Sequence, residues 1–304
     1  MESYQNHLGI NITNAKLQIV EVAYSEGEFI LENVGEEFLS EFVDFNNKKT
    51  KIISLLQSAF NEIEISKSFN SKYFSFTLPH NLFKIIQLPI ENSLMEKDLQ
   101  EYLKWEFSIL YPDINQEELL LQFIKLDGIY PTAIVIGTLR RYIEILKDFC
   151  LQNKANLKFV DNVHFASDNL LCYESDLSEK SLVLSLYLSN DLFSIDLLQN
   201  NKPVQFQLVP FKQSSEIIPA IEKFIEASKV LNGNKDLINQ MFISGDNIPD
   251  SLSENLVNIL RLEVGYINPF DKIKHNPSLE FNKFISSKPF SFSSVAGIAY
   301  RMFS

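Results

Sequence analysis

Two stretches of the chain, about 170 residues apart, carry the same order of predicted elements: three strands, a helix and a further strand. In each stretch, alternating apolar residues broken by turn signals precede a helix with apolar residues at helical spacing. The repeated order predicts a duplicated βββαβ unit, and hence two similar lobes that face each other across a cleft. The first copy comprises strands 8–12, 17–24 and 29–38, a helix at 48–60 and a strand at 73–78. The second comprises strands 182–188, 192–199 and 203–210, a helix at 214–231 and a strand at 240–244.

A distinct block lies between the two copies. It has a strand at 83–88, an amphipathic helix at 93–110 and strands at 119–126 and 133–137, which predicts a small α+β subdomain inserted into the first lobe. Ser93 followed by Glu96 is the pattern of a capping box. A further helix is predicted at 140–153 and a packed terminal helix at 291–303. The predicted division is therefore 1–80 and 138–180 for the first lobe, 81–137 for the inserted subdomain and 181–304 for the second lobe.

Composition excludes several classes of function. The net charge of -12 argues against nucleic-acid binding and against a basic membrane-binding face. No run of 18 apolar residues occurs and the N-terminus lacks the pattern of a signal peptide, so we expect a cytosolic protein without direct membrane insertion. Cys150 and Cys172 sit in apolar-periodic stretches, which favours buried free thiols over a disulfide framework or a zinc site.

Several short motifs follow one another at characteristic spacing. They are GINITNAKLQIVEV at 9–22, WEF followed by YP between 105 and 112, FISGDN at 242–247 and AGIAYR at 296–301. In order and spacing these motifs resemble the PilM family of type IV pilus assembly proteins, relatives of the division protein FtsA, over nearly the whole chain. The resemblance implies an α/β, actin-like (ribonuclease H-like) two-lobe fold, in which two hairpins and a later loop hold a nucleotide.

The nucleotide loops depart from the family pattern at the positions that carry chemistry. In the first hairpin, Asn11 stands where the family has Asp and Thr13 where it has Gly. In the second hairpin, Tyr187 falls on the Asp and Ser189 on the Gly. The later loop keeps Gly245 but has Asp246 in place of the second Gly, and Asn14 and Asn190 complete the two hairpin turns.

These departures predict that the chain is not an ATPase. Hydrolysis needs a metal-bound triphosphate held through carboxylates, and a Cβ in the turns obstructs approach of main-chain N–H groups to phosphate. We therefore expect no cofactor and no metal, although Lys16 could offset phosphate charge and retain weak ATP binding if it is not simply a solvated turn lysine. The four histidines are isolated, Asp161 and Asp196 have no visible partner, and no Walker A, GxSxG or GxGxxG motif occurs.

The resemblance implies a recognition role instead. The family binds the cytoplasmic N-terminal peptide of a bitopic inner-membrane protein, PilN, in a groove near the inserted subdomain, which would hold the protein at the inner membrane through its partner. Aromatic residues are favoured interface anchors, which makes Tyr102, Trp105 and Tyr111 candidates, although Trp105 could equally pack the subdomain core. Phe83 and Ile85 lie on a candidate edge strand for peptide addition.

Three functions remain open from the sequence. The first is a pseudo-ATPase scaffold of a type IV pilus or related assembly machine that docks a PilN-like tail. The second is an active actin-like ATPase or sugar kinase with unorthodox loops, and the third is the cytoplasmic component of a type II secretion platform. Self-association is also left open.

Overall fold

The computed structural model describes residues 6–25, 28–91, 93–126, 131–173, 181–271, 273–280 and 282–302. The strands are β1 (Asn6–Ile12), β2 (Lys16–Ser25), β3 (Glu28–Phe38), β4 (Tyr73–Leu78), β5 (Phe83–Pro89), β6 (Leu119–Leu126), β7 (Thr132–Leu139), β8 (Asn156–Asn162), β9 (Leu182–Leu188), β10 (Leu192–Gln199), β11 (Lys202–Pro210), β12 (Ile238–Gly245), β13 (Val264–Tyr266) and β14 (Lys274–His275). The helices are α1 (Lys49–Ser66), α2 (Glu96–Leu110), α3 (Arg140–Gln152), α4 (Val163–Asp168), α5 (Ile217–Ala227), α6 (Leu252–Leu260), α7 (Lys283–Ser287) and α8 (Ser293–Tyr300).

Two sheets repeat one topology. The first has the order β14-β3-β2-β1-β4-β8 and the second the order β11-β10-β9-β12-β13. In chain order, β1–β3 and β9–β11 each form an antiparallel meander. The strand that follows the helix, β4 or β12, then pairs in parallel with the first strand of its meander, β1 or β9. The duplicated βββαβ unit and the two-lobe α/β class predicted from the sequence are therefore confirmed.

Each lobe has its own apolar core between its sheet and its helices. In the first lobe, Phe60 of α1 and Phe149 of α3 meet edge to face with ring centroids 5.6 Å apart. In the second lobe, Ile221, Phe224 and Leu256 of α5 and α6 cover the sheet and are almost fully buried. Cys150 lies in the first core, where burial raises the pKa of its thiol to about 12, whereas the side chain of Cys172 is outside the described residues.

The inserted subdomain is a three-stranded antiparallel sheet of order β5-β7-β6, covered by α2. Leu99, Leu103 and Phe107 bury the inner face of α2 against it. The predicted capping box is wrong. The helix begins at Glu96 after Met95, which makes no side-chain cap, because a turn from Glu91 to Leu94 (N···O 3.2 Å) occupies the segment that holds Ser93.

The C-terminal segment returns to the first lobe and packs against it. β14 pairs with β3, and α8 packs against β1 and α4, so this part of 181–304 contacts the first lobe more than the second. All eight residues of α8 are buried, and a Cβ at Gly297 would lie 1.8 Å from the carbonyl oxygen of Ala166. The closing AGIAYR motif therefore has a packing reason. Among the described helices, none has the length and apolar character needed to cross a membrane.

Candidate functional site

A cleft of about 790 Å³ lies between the two lobes. The turn after β1 in the first sheet meets the turn after β9 and the end of β12 in the second sheet there. The strands β9 and β12 run parallel, so their carboxyl ends lie at the same edge of the second sheet. Eight of the nine residues assigned to the nucleotide loops line the cleft: Thr13, Asn14, Lys16, Tyr187, Ser189, Asn190, Gly245 and Asp246. The ninth, Asn11, is fully buried within the first sheet.

The β1–β2 turn satisfies its own amide groups. The hydroxyl of Thr13 accepts the N–H groups of Ala15 (3.2 Å) and Lys16 (3.0 Å), and the Thr13 N–H donates to the carbonyl of Lys16 (3.0 Å). A phosphate-binding turn must leave such N–H groups free for its ligand. Here the hydroxyl of Thr13 already accepts two of these N–H groups.

Asn11 is held by neighbours rather than presented to a ligand. Its amide donates to Gln18 Oε1 (2.8 Å) and its carbonyl oxygen accepts from the hydroxyl of Thr77 (3.0 Å). Gln18 in turn donates to Glu36 (2.8 Å), so the position that the family gives to a metal-orienting carboxylate is part of a hydrogen-bonded chain across four strands.

Lys16 ties the two lobes together. Its Nζ lies 2.9 Å from Glu36 of the first lobe and 2.8 Å from Asp246 of the second, and the side chains are only 15–21% exposed. Burial alone would lower the pKa of Lys16, but the carboxylates of Asp246 and Glu36 outweigh it and raise the pKa. The expectation of a solvated turn lysine is wrong, because Asp246 reaches it from 230 residues away in the chain.

The second hairpin is also closed on itself. The Ser189 N–H donates to the carbonyl of Leu192 (3.0 Å), and the Ser189 hydroxyl donates to the same carbonyl. The ring of Tyr187 is buried at the base of the cleft, 5.7 Å from the ring of His80 and with its hydroxyl 3.4 Å from Ser294, and burial raises its pKa. Tyr187 therefore fills the base of the cleft at the position where the family resemblance places an aspartate.

Gly245 has a structural reason to be glycine. Its φ is +105°, and an added Cβ would lie 2.1 Å from the carbonyl oxygen of Leu188. The next N–H, that of Asp246, donates to the same carbonyl (2.9 Å). The residue therefore permits the close approach of β12 to the end of β9, whether or not a ligand is present.

The lining of the cleft carries charges of both signs. Its described lining carries four carboxylates (Glu36, Asp191, Asp246 and Asp250) against three lysines (Lys16, Lys283 and Lys288). Lys16, which lies nearest to the turn, is already neutralised by two of these carboxylates. Among the described residues, no group of three or more His, Cys, Asp and Glu could hold a metal ion.

A cluster of buried, hydrogen-bonded polar side chains lies beneath the cleft and was not predicted from the sequence. Ser194 Oγ lies 2.9 Å from His80 Nε2 and 2.6 Å from His164 Nδ1, while His164 Nε2 is 3.0 Å from the Oγ of Ser185. Burial lowers the pKa of His80 to about 3 and that of His164 well below its usual value, so both rings are neutral at pH 7. The partners come from strands and helices distant in sequence, so no local pattern could reveal them, and their complete burial leaves them a structural role.

Two carboxylates that seemed single in the sequence have neighbours. Asp161 forms an ion pair with Arg301, and Asp196 lies beside Asp168 with both groups buried. Burial raises the pKa of Asp196 well above its usual range, and the adjacent charge of Asp168 adds to that shift.

The structure separates the candidate partner-binding residues into two groups. Phe83 is buried in the first core, and the edge of β5 faces β11, whose Val204 carbonyl accepts from Gln87 (3.3 Å). Ile85 is half-buried against the same core, and Tyr111 stacks on Phe107 at 4.7 Å. Peptide addition at β5 is therefore obstructed by the second lobe.

The other two candidates lie on α2, where Trp105 is exposed and Tyr102 is partly buried against the subdomain core. Trp105 is 58% exposed, and its ring lies 6.5 Å from that of Tyr102. Phe107, not Trp105, fills the subdomain core. Ile109 and Met95, both more than half exposed, extend the same side of the helix. We call Met95, Tyr102, Trp105 and Ile109 the α2 outer face.

Comparison with solved structures identifies the architecture. The chain superposes on a chain of a PilM-PilN type IV pilus biogenesis complex with a TM-score of 0.72 and 15% identity over 98% of both chains. The fold is actin-like. A Bacteroides thetaiotaomicron protein with an actin-like ATPase fold and unknown function gives a TM-score of 0.51 with 16% identity, covering 88% of this chain and 93% of that one. The ethanolamine utilization protein EutJ from Carboxydothermus hydrogenoformans gives 0.50 with 10% identity, covering 97% and 89%.

The PilM-like fold expected from the motifs is therefore confirmed, over nearly the full length. No protein-family model matches the chain, and no curated protein matches its sequence significantly. At these identities the likeness establishes the fold and leaves the function to be argued from the site.

Proposed function

We propose that the chain is a non-catalytic scaffold of a type IV pilus or related assembly machine, which docks the cytoplasmic N-terminal segment of an inner-membrane partner. The fold-level likeness to a chain of the PilM-PilN complex supports the class of machine. The observation that carries the non-catalytic part is the Lys16 bridge to Glu36 and Asp246, which neutralises the nearest lysine where a nucleotide would need free positive charge.

We assign docking to the α2 outer face. Large aromatic side chains that remain exposed on a rigid helix are typical anchors of protein interfaces, and Trp105 is the single tryptophan of the chain. The same helix carries four carboxylates against the two lysines Lys97 and Lys104, and the whole chain has a net charge of -12. The partner segment is therefore expected to be apolar with flanking basic residues.

Replacing Trp105 by alanine should weaken partner binding at least tenfold and leave the folded protein intact, because the indole is exposed and its loss opens no cavity. The measurement is fluorescence anisotropy of a labelled peptide, the N-terminal cytoplasmic segment of a bitopic inner-membrane protein from the same organism. Phe42→Ala, which removes another exposed aromatic (76% exposed) outside the subdomain, is the matched control and should bind like wild type.

The outcomes separate the function from the site. No binding by wild type at tens of micromolar contradicts the scaffold proposal. Wild-type binding that Trp105→Ala does not change contradicts the placement on α2 and directs the search to the other surfaces of the subdomain.

A further inference from the structure

A second, smaller cavity of about 190 Å³ lies where the inserted subdomain meets both lobes. Residues of β6 and β7 form one wall, and α4 with the residue after it forms the floor. The strands β10 and β11 with their turn, Asp161 of β8 and Arg301 complete the lining. It shares no lining residue with the interlobe cleft.

Unpartnered polar atoms are concentrated in this cavity. Six buried side-chain atoms of the described residues lack a hydrogen-bond partner, and four of them belong to Asp168, Asn169 and Asp196, which line it. Asp196 is fully buried and Asp168 is 7% exposed. Buried polar groups normally have hydrogen-bond partners, so four unpartnered atoms around one cavity point to a bound group that forms hydrogen bonds with them.

The neighbouring side chains do not supply hydrogen-bond partners for all four of these atoms. The hydroxyl of Ser185 donates to Asp168 Oδ1, and His164 Nε2 lies 3.4 Å from Asp168 Oδ2 but already meets Ser185. Burial raises the pKa of Asp168 to about 7 and that of Asp196 well above its usual range, so the pair keeps at least one proton near neutral pH. A proton shared between the two acids joins one oxygen of each and leaves a further oxygen of Asp196 without a donor.

The charges around the pair favour a cationic occupant. Of the described lining residues, Arg301 is the one cation, and it is engaged by Asp161 in an ion pair. The remaining charged lining residues are Asp168 and Asp196, whose oxygens are acceptors for an entering cation. The described residues lack a ligand cluster suited to a metal ion, which favours an organic cation with N–H donors.

We propose that this cavity binds one organic monocation, a guanidinium or primary ammonium group on a short alkyl chain, with Asp196 and Asp168 accepting its N–H groups. The volume holds several waters or one extended side chain, and it is smaller than the pockets that take drug-sized ligands. Asn169, whose amide lacks a partner, donates to a carbonyl if the cation belongs to a peptide. The β6 strand beside the cavity is an edge of its sheet, which gives such a peptide a backbone to follow. This site does not depend on the α2 outer face.

The test uses n-butylguanidinium and its neutral counterpart n-pentanol, followed by saturation-transfer NMR on the full chain at pH 7. We expect n-butylguanidinium to bind wild type, n-pentanol not to bind, and Asp196→Asn to weaken n-butylguanidinium at least tenfold. Asp191→Asn, an equivalent change in the other cleft, should bind like wild type. Equal binding of the two probes, or equal binding by wild type and Asp196→Asn, overturns the proposal.

A crystal of wild type soaked in n-butylguanidinium keeps the test decisive if Asp196→Asn does not fold. A guanidinium group within hydrogen-bond distance of the Asp196 carboxyl supports the site, whereas ordered water alone, an adventitious additive only, or a guanidinium bound elsewhere overturns it. The peptide acetyl-Ala-Arg-Ala-amide distinguishes the sources of the cation. Tighter binding than n-butylguanidinium assigns the site to a peptide side chain, and weaker binding assigns it to a free small cation.

Discussion

Gly245→Ala should lower the free energy of unfolding by about 3–5 kcal/mol, since it combines an unfavourable backbone conformation with a main-chain clash. The φ of +105° is rare for a residue with a side chain, and the new Cβ would lie 2.1 Å from the oxygen and 2.8 Å from the nitrogen of Leu188. Those atoms belong to the β9–β12 pairing and cannot move aside without breaking it. Urea unfolding of the protein without nucleotide measures the loss.

Gly233→Ala is the matched control for this prediction. It also has a positive φ, +72°, but no atom lies within 4 Å of the added Cβ, so only the backbone cost of about 1–3 kcal/mol applies. Comparable losses in both variants would contradict the structural reason given for Gly245. The glycine kept from the nucleotide-loop pattern would then need a ligand-based explanation.

His80→Gln should make the protein less sensitive to acid, by about 3 kcal/mol between pH 7 and pH 4. Burial lowers the pKa of His80 to about 3, whereas the unfolded chain protonates the same ring near 6.5. The unfolded state therefore binds the extra proton, and the stability present above pH 6.5 is lost as pH falls towards the folded pKa. His7, with a pKa lowered by burial to about 4, and His164 act in the same direction.

The comparison with wild type isolates this contribution, because Asp161, Asp168 and Asp196 have raised pKa values and oppose it equally in both proteins. Urea unfolding at several pH values gives the slope for each protein. Glutamine keeps hydrogen-bonding capacity toward Ser194 and Asn162, which lie at the two ring nitrogens. If the pH dependence of the free energy of unfolding is the same in His80→Gln as in wild type, His80 takes up its proton in the folded state, which would contradict the prediction.

The regular elements were predictable because they are specified locally. The bounds of β4, β6, β9 and β10 match the predicted strands, since alternating apolar residues and turn signals define them without reference to the rest of the chain. The short strands β13 and β14 escaped prediction, because three and two residues carry no periodicity. The capping box at Ser93 failed because a preceding turn competes for the same segment.

The site was predictable in place but not in chemistry. Motif order placed both hairpins and Gly245 around one cleft, and the structure brings them together there. The Lys16–Asp246 bridge, the His80–Ser194 contact and the Asp168–Asp196 pair join residues far apart in sequence, so they depend on the packing of the two lobes. Trp105 shows a similar limit, because the sequence left open whether its side chain packs in the subdomain core or remains exposed.

The central claim, that this actin-like body acts as a scaffold and not as a nucleotide machine, is tested most directly by thermal unfolding with millimolar Mg-ATP. The account predicts an unchanged melting temperature, because the turn amides and Lys16 are already engaged within the protein. A ligand at 100 times its Kd would add about 2.7 kcal/mol, which for a chain of this size corresponds to roughly 4 °C. A rise of that order, absent with Mg²⁺ alone, would contradict the account.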